Sequence, residues 1–568
     1  MRSASESSSY ANVTERQTDW NSVNWRKANR IVRNLRQRIF RASAEGNLKK
    51  VRSLQKLMLR SYSNILVSVR RVTQVNKGKN TPGVDKMLVK TPTARGRFVE
   101  ELTRYTPWKA KPVRRVYIPK ANGKKQRPLG IPTIRNRCLQ AMVKNALEPY
   151  WEARFEGTSY GFRPGRSTHD AIARVYTIAR PHCKKKWVVD ADIKGAYDNI
   201  DHESLLKTIG SFPARELIKQ WLKAGYMECG RIHKTETGVP QGGVISPLLF
   251  SVALHGAESV LGIRYDNWGR NQSKRAIVRY ADDMVAFCES KEDAEEVMQI
   301  LQDWLKERGL ELSPEKTKIR HLSDGFDFLG FNIRQYRSQH ARTGWKLLIK
   351  PSKESVQKLR DKLRKTWYSL KGQNVSAIVR KLNPVIRGWA NYYRIAVAWE
   401  TFSKLDSWMF RREVRYVNHT HPKKPKYWKK ARYWGKLIPD KHGNWVFGDK
   451  QKGLYLLKFS WFNIERHVLV KGRASPDDPN LREYWQKRNT TKAKYLMPSR
   501  GRMARGQVGM CPVCGESLFN DEELQVHHKK PIKEGGTDSY GNLQLLHLYC
   551  HQQIHSMRTK KLCIRSET

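Results

Sequence analysis

Three aspartates and a terminal group of cysteines and histidines are the residues of this chain whose types and spacing could do chemistry. Asp192 lies in the short run WVVDADI at 187–193, and Asp282 and Asp283 sit side by side in YADD at 280–283. Nucleotide addition needs an attacking hydroxyl and a departing pyrophosphate, both stabilised by two divalent ions about 3.5–4 Å apart. Hard ions such as Mg2+ take oxygen ligands, so carboxylates must converge from elements distant in sequence. An acidic pair on a tight strand turn offers two of them from a rigid position. The second constellation spans 511–555 and reads CPVCGESLFNDEELQVHHKKPIKEGGTDSYGNLQLLHLYCHQQIH. Ligand softness separates two metal tasks there. The thiolates of Cys511, Cys514 and Cys550 suit a structural Zn2+, and the same run holds a His pair together with His551 and His555, which lie four apart and hence on one helix face.

These residues need elements to hold them. The runs WVVDADI and AIVRYADDMVAFC at 276–288 read as short strands, the latter two joined at the acidic pair. An amphipathic helix is expected over 291–308, closed by Gly309. Residues 112–135 read as a basic hairpin turning at Asn122-Gly123, and Asn76–Gly83 is a Gly/Asn/Pro break. Residues 1–70 form a basic helical lead-in, with Ile31, Leu35, Ile39, Leu54 and Leu57 at helical spacing. From 351 a helical face of Val356, Leu359, Leu363, Trp367 and Leu370 returns, flanked by Lys358, Arg360, Lys362, Arg364 and Lys365. Residues 421–436 interleave Tyr427, Trp428, Tyr433 and Trp434 with basic residues. They are either stacking aromatics on a nucleic-acid surface or the core of a small packed unit. Loops are expected at 471–480 and around Ser499–Gly509.

Composition narrows the partners. The chain has 568 residues, with 109 Lys plus Arg against 52 Asp plus Glu, a formal net charge of +57. Such an excess repels itself in a compact state and calls for a polyanion, most simply nucleic acid. A membrane surface fits less well, because the basic residues occur in every segment rather than in one amphipathic tail. No run of about 18 apolar residues exists, and the Ser-rich start lacks the apolar core of a secretory signal. The eight cysteines are not spaced as a disulfide framework. Cys138, Cys183, Cys229 and Cys288 read as buried small hydrophobes, and the usage points to a reducing cytoplasm.

A series of motifs then converges. RRVYIPKANGKKQRPLGIP at 114–132, YGFRPGRSTHDAI at 160–172, VVDADIKGAYDNI at 188–200, GVPQGGVISPLL at 238–249, YADDMVAF at 280–287, LSPEKTKI at 312–319 and FDFLGF at 326–331 occur in this order, followed by RGWANYYR at 387–394. The chain resembles the reverse transcriptase/maturase proteins encoded by bacterial and organellar group II introns, in the subset that carries a terminal HNH endonuclease module.

The resemblance implies a multidomain α+β chain. A right-hand reverse transcriptase with fingers, palm and helical thumb would be followed by a ββα-metal HNH module. Asp192 and Asp282 would be the principal Mg2+ ligands, with the carbonyl of Ile193 assisting. Asp283 would be the third acid, or else a polariser of the turn. Asp190 shares a strand face with Asp192 and is either a support for the site or a solvent-exposed carboxylate. Tyr197 would lie under the incoming sugar and exclude a 2′-hydroxyl. Lys120 and Arg127 would sit over the triphosphate, Arg114 and Arg115 on triphosphate or template phosphates, and Gln241 with Gly242 near template and incoming base. In the terminal module His528 would be the general base. His527, His551 and His555 would hold Mg2+ or another divalent ion, and Asn542 would fix the loop carrying His528. The fourth zinc ligand would be His547, where many relatives have cysteine. A module that only grips DNA is the alternative.

The domain plan expected from this reading has five parts. They are a basic RNA-binding extension at 1–75, fingers and palm at 76–350, a thumb or maturase domain at 351–440, a basic DNA-binding region and linker at 441–505, and the HNH module at 506–568. The implied partners are intron RNA in a ribonucleoprotein, double-stranded target DNA and deoxynucleoside triphosphates, without a membrane. The implied setting is bacterial cytoplasm. A splicing factor with relict enzymatic parts, and a host-recruited reverse transcriptase without an intron, are the rival readings.

Overall fold

Helical spacing of apolar residues shapes the N-terminal part. A computed structural model describes residues 18–104, 109–119, 126–438, 444–520 and 522–566, with 558–566 as backbone alone. The helices Trp25–Ala44 and Leu48–Arg60 each start on an asparagine, Asn24 and Asn47, whose side chain accepts a hydrogen bond from a first-turn amide. Their buried seams run through Val32, Leu35 and Ile39, then through Val51, Leu54 and Met58. Leu57, expected inside, is exposed because Met58 occupies the inward position one residue on. The helix Tyr62–Arg70 and the long helix Ile134–Glu152 complete this bundle. Arg36 bridges Glu148 and Asp477 at 2.9 and 2.7 Å inside it. Such a buried triad costs about 3–5 kcal/mol to break from one side, since a charge is then left alone.

The chain divides into two compact units, one made of 1–154, 197–253 and 475–568, the other of 155–196 and 254–474. The first contains the N-terminal bundle and a four-stranded sheet. Its strands Val113–Pro119 and Gln126–Ile131 pair antiparallel, with Ile118 opposite Arg127, and Tyr226–Glu228 and Arg231–His233 extend the sheet. The turn at Asn122-Gly123 lies outside the described residues. The terminal segment joins the same unit through a core shared by Trp20, Trp25, Ile65 and Val69 with Leu518, Leu545 and Leu546. Around Ser499–Gly509 a helix, Pro498–Gly506, replaces most of the expected loop; Pro498 at its first position suits a helix start, and Met503 and Ala504 give it a buried side.

The second unit is built on a four-stranded antiparallel sheet. Trp187–Asp192 lies between Asp283–Cys288 and Lys318–His321, and Ala276–Tyr280 forms the outer strand beside Asp283–Cys288. Val188, Val189, Val278, Val285 and Phe287 are all buried, which is why these strands read as continuous apolar runs. The helix Lys291–Lys306 packs on them, capped by Ser290 and ended at Gly309, whose φ of 71° reverses the chain. A three-stranded sheet of Phe326–Phe328, Phe331–Arg337 and Trp345–Pro351 leads to the helices Lys353–Ser369, Val375–Tyr393 and Trp399–Thr420. Tyr392 donates to the Leu329 carbonyl at 2.9 Å and Tyr393 packs on Phe331, tying RGWANYYR to FDFLGF. On the first of these helices Leu359, Leu363 and Trp367 are buried, while Lys358, Lys362, Arg364 and Lys365 are exposed. The 421–436 aromatics divide between the two readings: Tyr433 and Trp434 are core residues, whereas Tyr427 is exposed. Of the four scattered cysteines only Cys138 and Cys288 are buried; Cys229 is exposed and Cys183 half-buried, because both lie in turns.

Candidate active sites

Strand register sets two of the acidic residues opposite each other. Asp192 is directly opposite Asp283, and Tyr280 pairs with Asp283 across the turn Ala281-Asp282. Ala281 takes a left-handed φ of 56° and is buried, so this turn is held by its surroundings rather than by its own preference. The strap Thr158–Gly161 does the holding: the amide of Tyr160 donates to the Arg279 carbonyl at 2.9 Å, and that of Arg279 to Thr158 at 3.0 Å. A Cβ on Gly161 would stand 2.2 Å from the Ala281 nitrogen, so only glycine lets the strap lie against the acidic turn.

On the other side the amide of Ser313 donates to the Asp192 carbonyl at 2.7 Å, and Ile193 bridges Leu312. Lys316 donates to Asp192 Oδ2 at 2.7 Å. Sequence reasoning assigned Lys316 no role, although it lies in the quoted run LSPEKTKI. Burial, then the charges of Asp282, Asp192 and Asp190, push the Asp283 carboxyl up to about 7. Asp190 is half-buried rather than solvent-exposed, since strands on both sides cover it; burial pushes its carboxyl up to about 6. The like charges of Asp282, Asp192 and Asp190 act together on Asp283, a repulsion that cations would relieve.

In the first unit a cavity of about 250 Å³ is lined by Arg115, Tyr197, Asp198, Gly238, Pro240 and Gln241, among others. Tyr197 stacks on Phe250 at 4.4 Å, with the rings 15° apart, which holds its ring in place. Its carbonyl accepts from Val239 at 2.6 Å. The carbonyl of Gln241 accepts from Gly130 at 2.7 Å, and a Cβ on Gly242 would meet the Gly130 oxygen at 2.8 Å, so this loop lies directly on the strand Gln126–Ile131. Arg115 stacks over Tyr226 at 3.8 Å. Arg127 is exposed on its strand, Arg114 is half-buried, and Lys120 falls outside the described residues.

The terminal segment forms two metal-type clusters on a ββα scaffold. The strands Leu524–His528 and Leu543–His547 pair antiparallel, and the helix Leu548–Ser566 follows at once. Ligand atoms of Cys511, Cys514, His547 and Cys550 lie within 4.8 Å of one another, and so do those of His527, His551 and His555. His547 is fully buried, its Nε2 3.1 Å from the Ser517 carbonyl and its Nδ1 3.3 Å from Cys514 Sγ. A proton donated from Nε2 leaves the Nδ1 lone pair facing the thiols, as a ligand needs. In the second cluster the Nε2 atoms of His551 and His555 stand 3.2 Å apart, and burial followed by the charge of His555 lowers the His551 pKa.

His528 turns to the other face of its strand. Its Nε2 lies 2.7 Å from Asp538 Oδ1, a partner that sequence reasoning missed because the loop between them has no periodic signal. Asn542 clamps that loop. Its Oδ1 accepts from Lys530 at 2.8 Å, and its Nδ2 donates to the carbonyls of Lys530 and Thr537 at 2.9 and 2.8 Å. A Cβ on Gly536 would strike the Lys530 oxygen at 2.0 Å.

An antiparallel sheet carrying Asp192 opposite Asp283, in one chain with a ββα module whose histidines cluster, is the arrangement expected of a nucleic-acid polymerase joined to a nuclease. Comparison with known proteins gives the particular kind. Residues 118–333 match the family model for reverse transcriptase (RNA-dependent DNA polymerase), and 20–102 that for the N-terminal domain of reverse transcriptase. Residues 356–434 match the group II intron maturase-specific domain, and 511–557 HNH endonuclease. Protein YkfC of Escherichia coli is 37% identical over 320 residues, covering 48% of this chain and 81% of that protein. The group II intron-encoded protein LtrA of Lactococcus lactis is 33% identical over 368 residues, covering 50% of this chain and 61% of LtrA. Maturase-like protein 1 of Euglena gracilis is 25% identical over 377 residues, 65% of this chain and 76% of that protein. The chain belongs to the group II intron-encoded reverse transcriptase/maturase family and carries an HNH endonuclease domain. It is thus an RNA-directed DNA polymerase and a nuclease, with intron RNA as the implied partner. No helix among the described residues is long and apolar enough to cross a membrane.

Proposed function

We propose that the HNH site nicks one strand of a double-stranded DNA target and that the palm site extends the resulting 3′ end along the intron RNA, using deoxynucleoside triphosphates. The single observation that carries this reading is the pairing of Asp192 with Asp283 beside the Asp282 turn, in a chain that also brings His527, His551 and His555 together. The side chains of Asp192, Asp282 and Asp283, with the Ile193 carbonyl, would hold Mg2+, which stabilises the attacking and leaving oxygens of nucleotide transfer. Tyr197 would exclude a 2′-hydroxyl on the incoming sugar, Gln241 and Gly242 would border template and base, Lys120 and Arg127 would take the triphosphate, and Arg114 and Arg115 would take triphosphate or template phosphates. His528 takes the proton from the attacking water, oriented by Asp538, while His527, His551 and His555 hold a divalent ion. Cys511, Cys514, His547 and Cys550 hold zinc as a structural knuckle. The chain works as a ribonucleoprotein in a bacterial cytoplasm, with the N-terminal helices, the basic thumb face and the 441–505 region on nucleic acid.

The test is the ribonucleoprotein formed by co-expression with a candidate intron, given a target duplex. The expected product is cDNA covalently continuous with the nicked strand. cDNA that starts only from added primers would overturn the proposed order of events. Tyr197→Ala tests the sugar contact separately. It should raise ribonucleotide incorporation relative to deoxynucleotide by about tenfold or more, within the range that one steric contact discriminates. An unchanged ratio in primer extension would remove Tyr197 from the selectivity site.

A further inference from the structure

Arg70 is the last residue of the helix Tyr62–Arg70, and it is 6% exposed. Its Nη2 lies 3.0 Å from Cys550 Sγ, and its guanidinium stacks 4.5 Å from the ring centroid of Trp25. A buried cation needs compensating negative charge; the Glu522 carboxylate supplies some of it, and Cys514 and Cys550 supply more as thiolates. A divalent ion with three thiolates and one neutral imidazole carries one net negative charge, which the guanidinium meets directly at Cys550. The contact belongs to a broader seam. Asn29 donates to the Cys514 carbonyl at 3.1 Å, and Arg33 donates to the Gly515 carbonyl at 2.9 Å and to Glu516 at 2.6 Å. Gln553 reaches back to the carbonyls of Asn21 and Val23, both at 2.9 Å, and Lys79 meets the Tyr549 hydroxyl. Cys511, Cys514 and Cys550 share one apolar core with Trp25, Ile65 and Val69.

We propose that Arg70 is a positioning residue for the zinc knuckle, so that the N-terminal reverse-transcriptase helices and the terminal nuclease module hold each other in one metal-linked folding unit. The inference rests on the zinc reading of the Cys511, Cys514, His547 and Cys550 cluster. Hydrogen bonds to metal-bound ligands tune metal affinity by about 10–100-fold. Arg70 would do so from outside the nuclease module. Loss of the metal would then loosen helices that belong to the polymerase.

The full-length chain carries the test. Zinc content is measured first, then zinc release to a chromophoric chelator from wild type, Arg70→Met and Arg70→Lys. Arg70→Met should release zinc about tenfold faster or more. Arg70→Lys should restore part of the retention, because it keeps the charge but loses the planar stack on Trp25. Independently of any variant, chelation of the wild-type protein should raise hydrogen exchange in Trp25–Ala44 and Tyr62–Arg70. A wild-type protein that binds zinc, with release unaltered in Arg70→Met and exchange unaltered on chelation, overturns the linkage and leaves the knuckle standing. A wild-type protein without zinc overturns the knuckle reading and the linkage with it.

Discussion

Asp192→Asn should lower RNA-templated DNA synthesis by about 10²–10³-fold while leaving DNA nicking and the thermal midpoint near wild type. The size follows from removing one charge-bearing group from a preorganised active site, where such groups are worth about that much. Asparagine keeps the shape of the side chain and one acceptor oxygen but not the charge that would hold a divalent ion. The strand itself should survive, because Asp192 is bound to its neighbours through its backbone: its carbonyl accepts from Ser313 at 2.7 Å and the residue pairs with Asp283. The ion pair with Lys316 is lost, yet the Lys316 side chain is 66% exposed, so solvent compensates its ammonium and little stability is at stake. Primer extension on an RNA template, with RNA binding measured in parallel at stated salt, separates a chemical defect from a binding defect. Synthesis within a few-fold of wild type would remove Asp192 from the ion site.

His528→Ala should abolish strand nicking by about 10²–10⁴-fold, the usual contribution of a positioned general base, and spare polymerisation from a supplied primer. The histidine side chain is 29% exposed and meets Asp538, itself 81% exposed, so its removal opens no cavity in the core. The knuckle and the cluster of His527, His551 and His555 stay intact, and metal content should not change. Nicking retained in His528→Ala would refute the assignment. Joint loss of nicking and polymerisation would show instead that the substitution disturbs the unit that the terminal segment shares with the N-terminal helices.

Local pattern and chemistry made much of the molecule legible. Strand-like runs end at Asp192 and turn at Asp282 because backbone alternation and turn chemistry are local properties. The helix at Lys291–Lys306 ends at Gly309 for the same reason. Cysteines and histidines at metal spacing announce their clusters because side-chain softness is a property of composition. Errors came where burial depends on neighbours from elsewhere. Leu57 gives way to Met58, Cys229 lies outside the core, and the 421–436 aromatics split between core and surface. Periodicity over a few residues cannot register such neighbours.

By itself the sequence determined which groups are on offer, the acids of YADD and WVVDADI and the terminal histidines and thiols, and that a chain of net charge +57 would meet a polyanion. Only the tertiary structure decided how they are held. It put Ala281 in a left-handed turn against Gly161, set Lys316 on Asp192, and joined Arg70 to Cys550 across 480 residues of chain. The reason is physical. Ligand type is carried by single side chains, whereas a buried charge or a strained turn is stable only where remote backbone and side chains converge to compensate it.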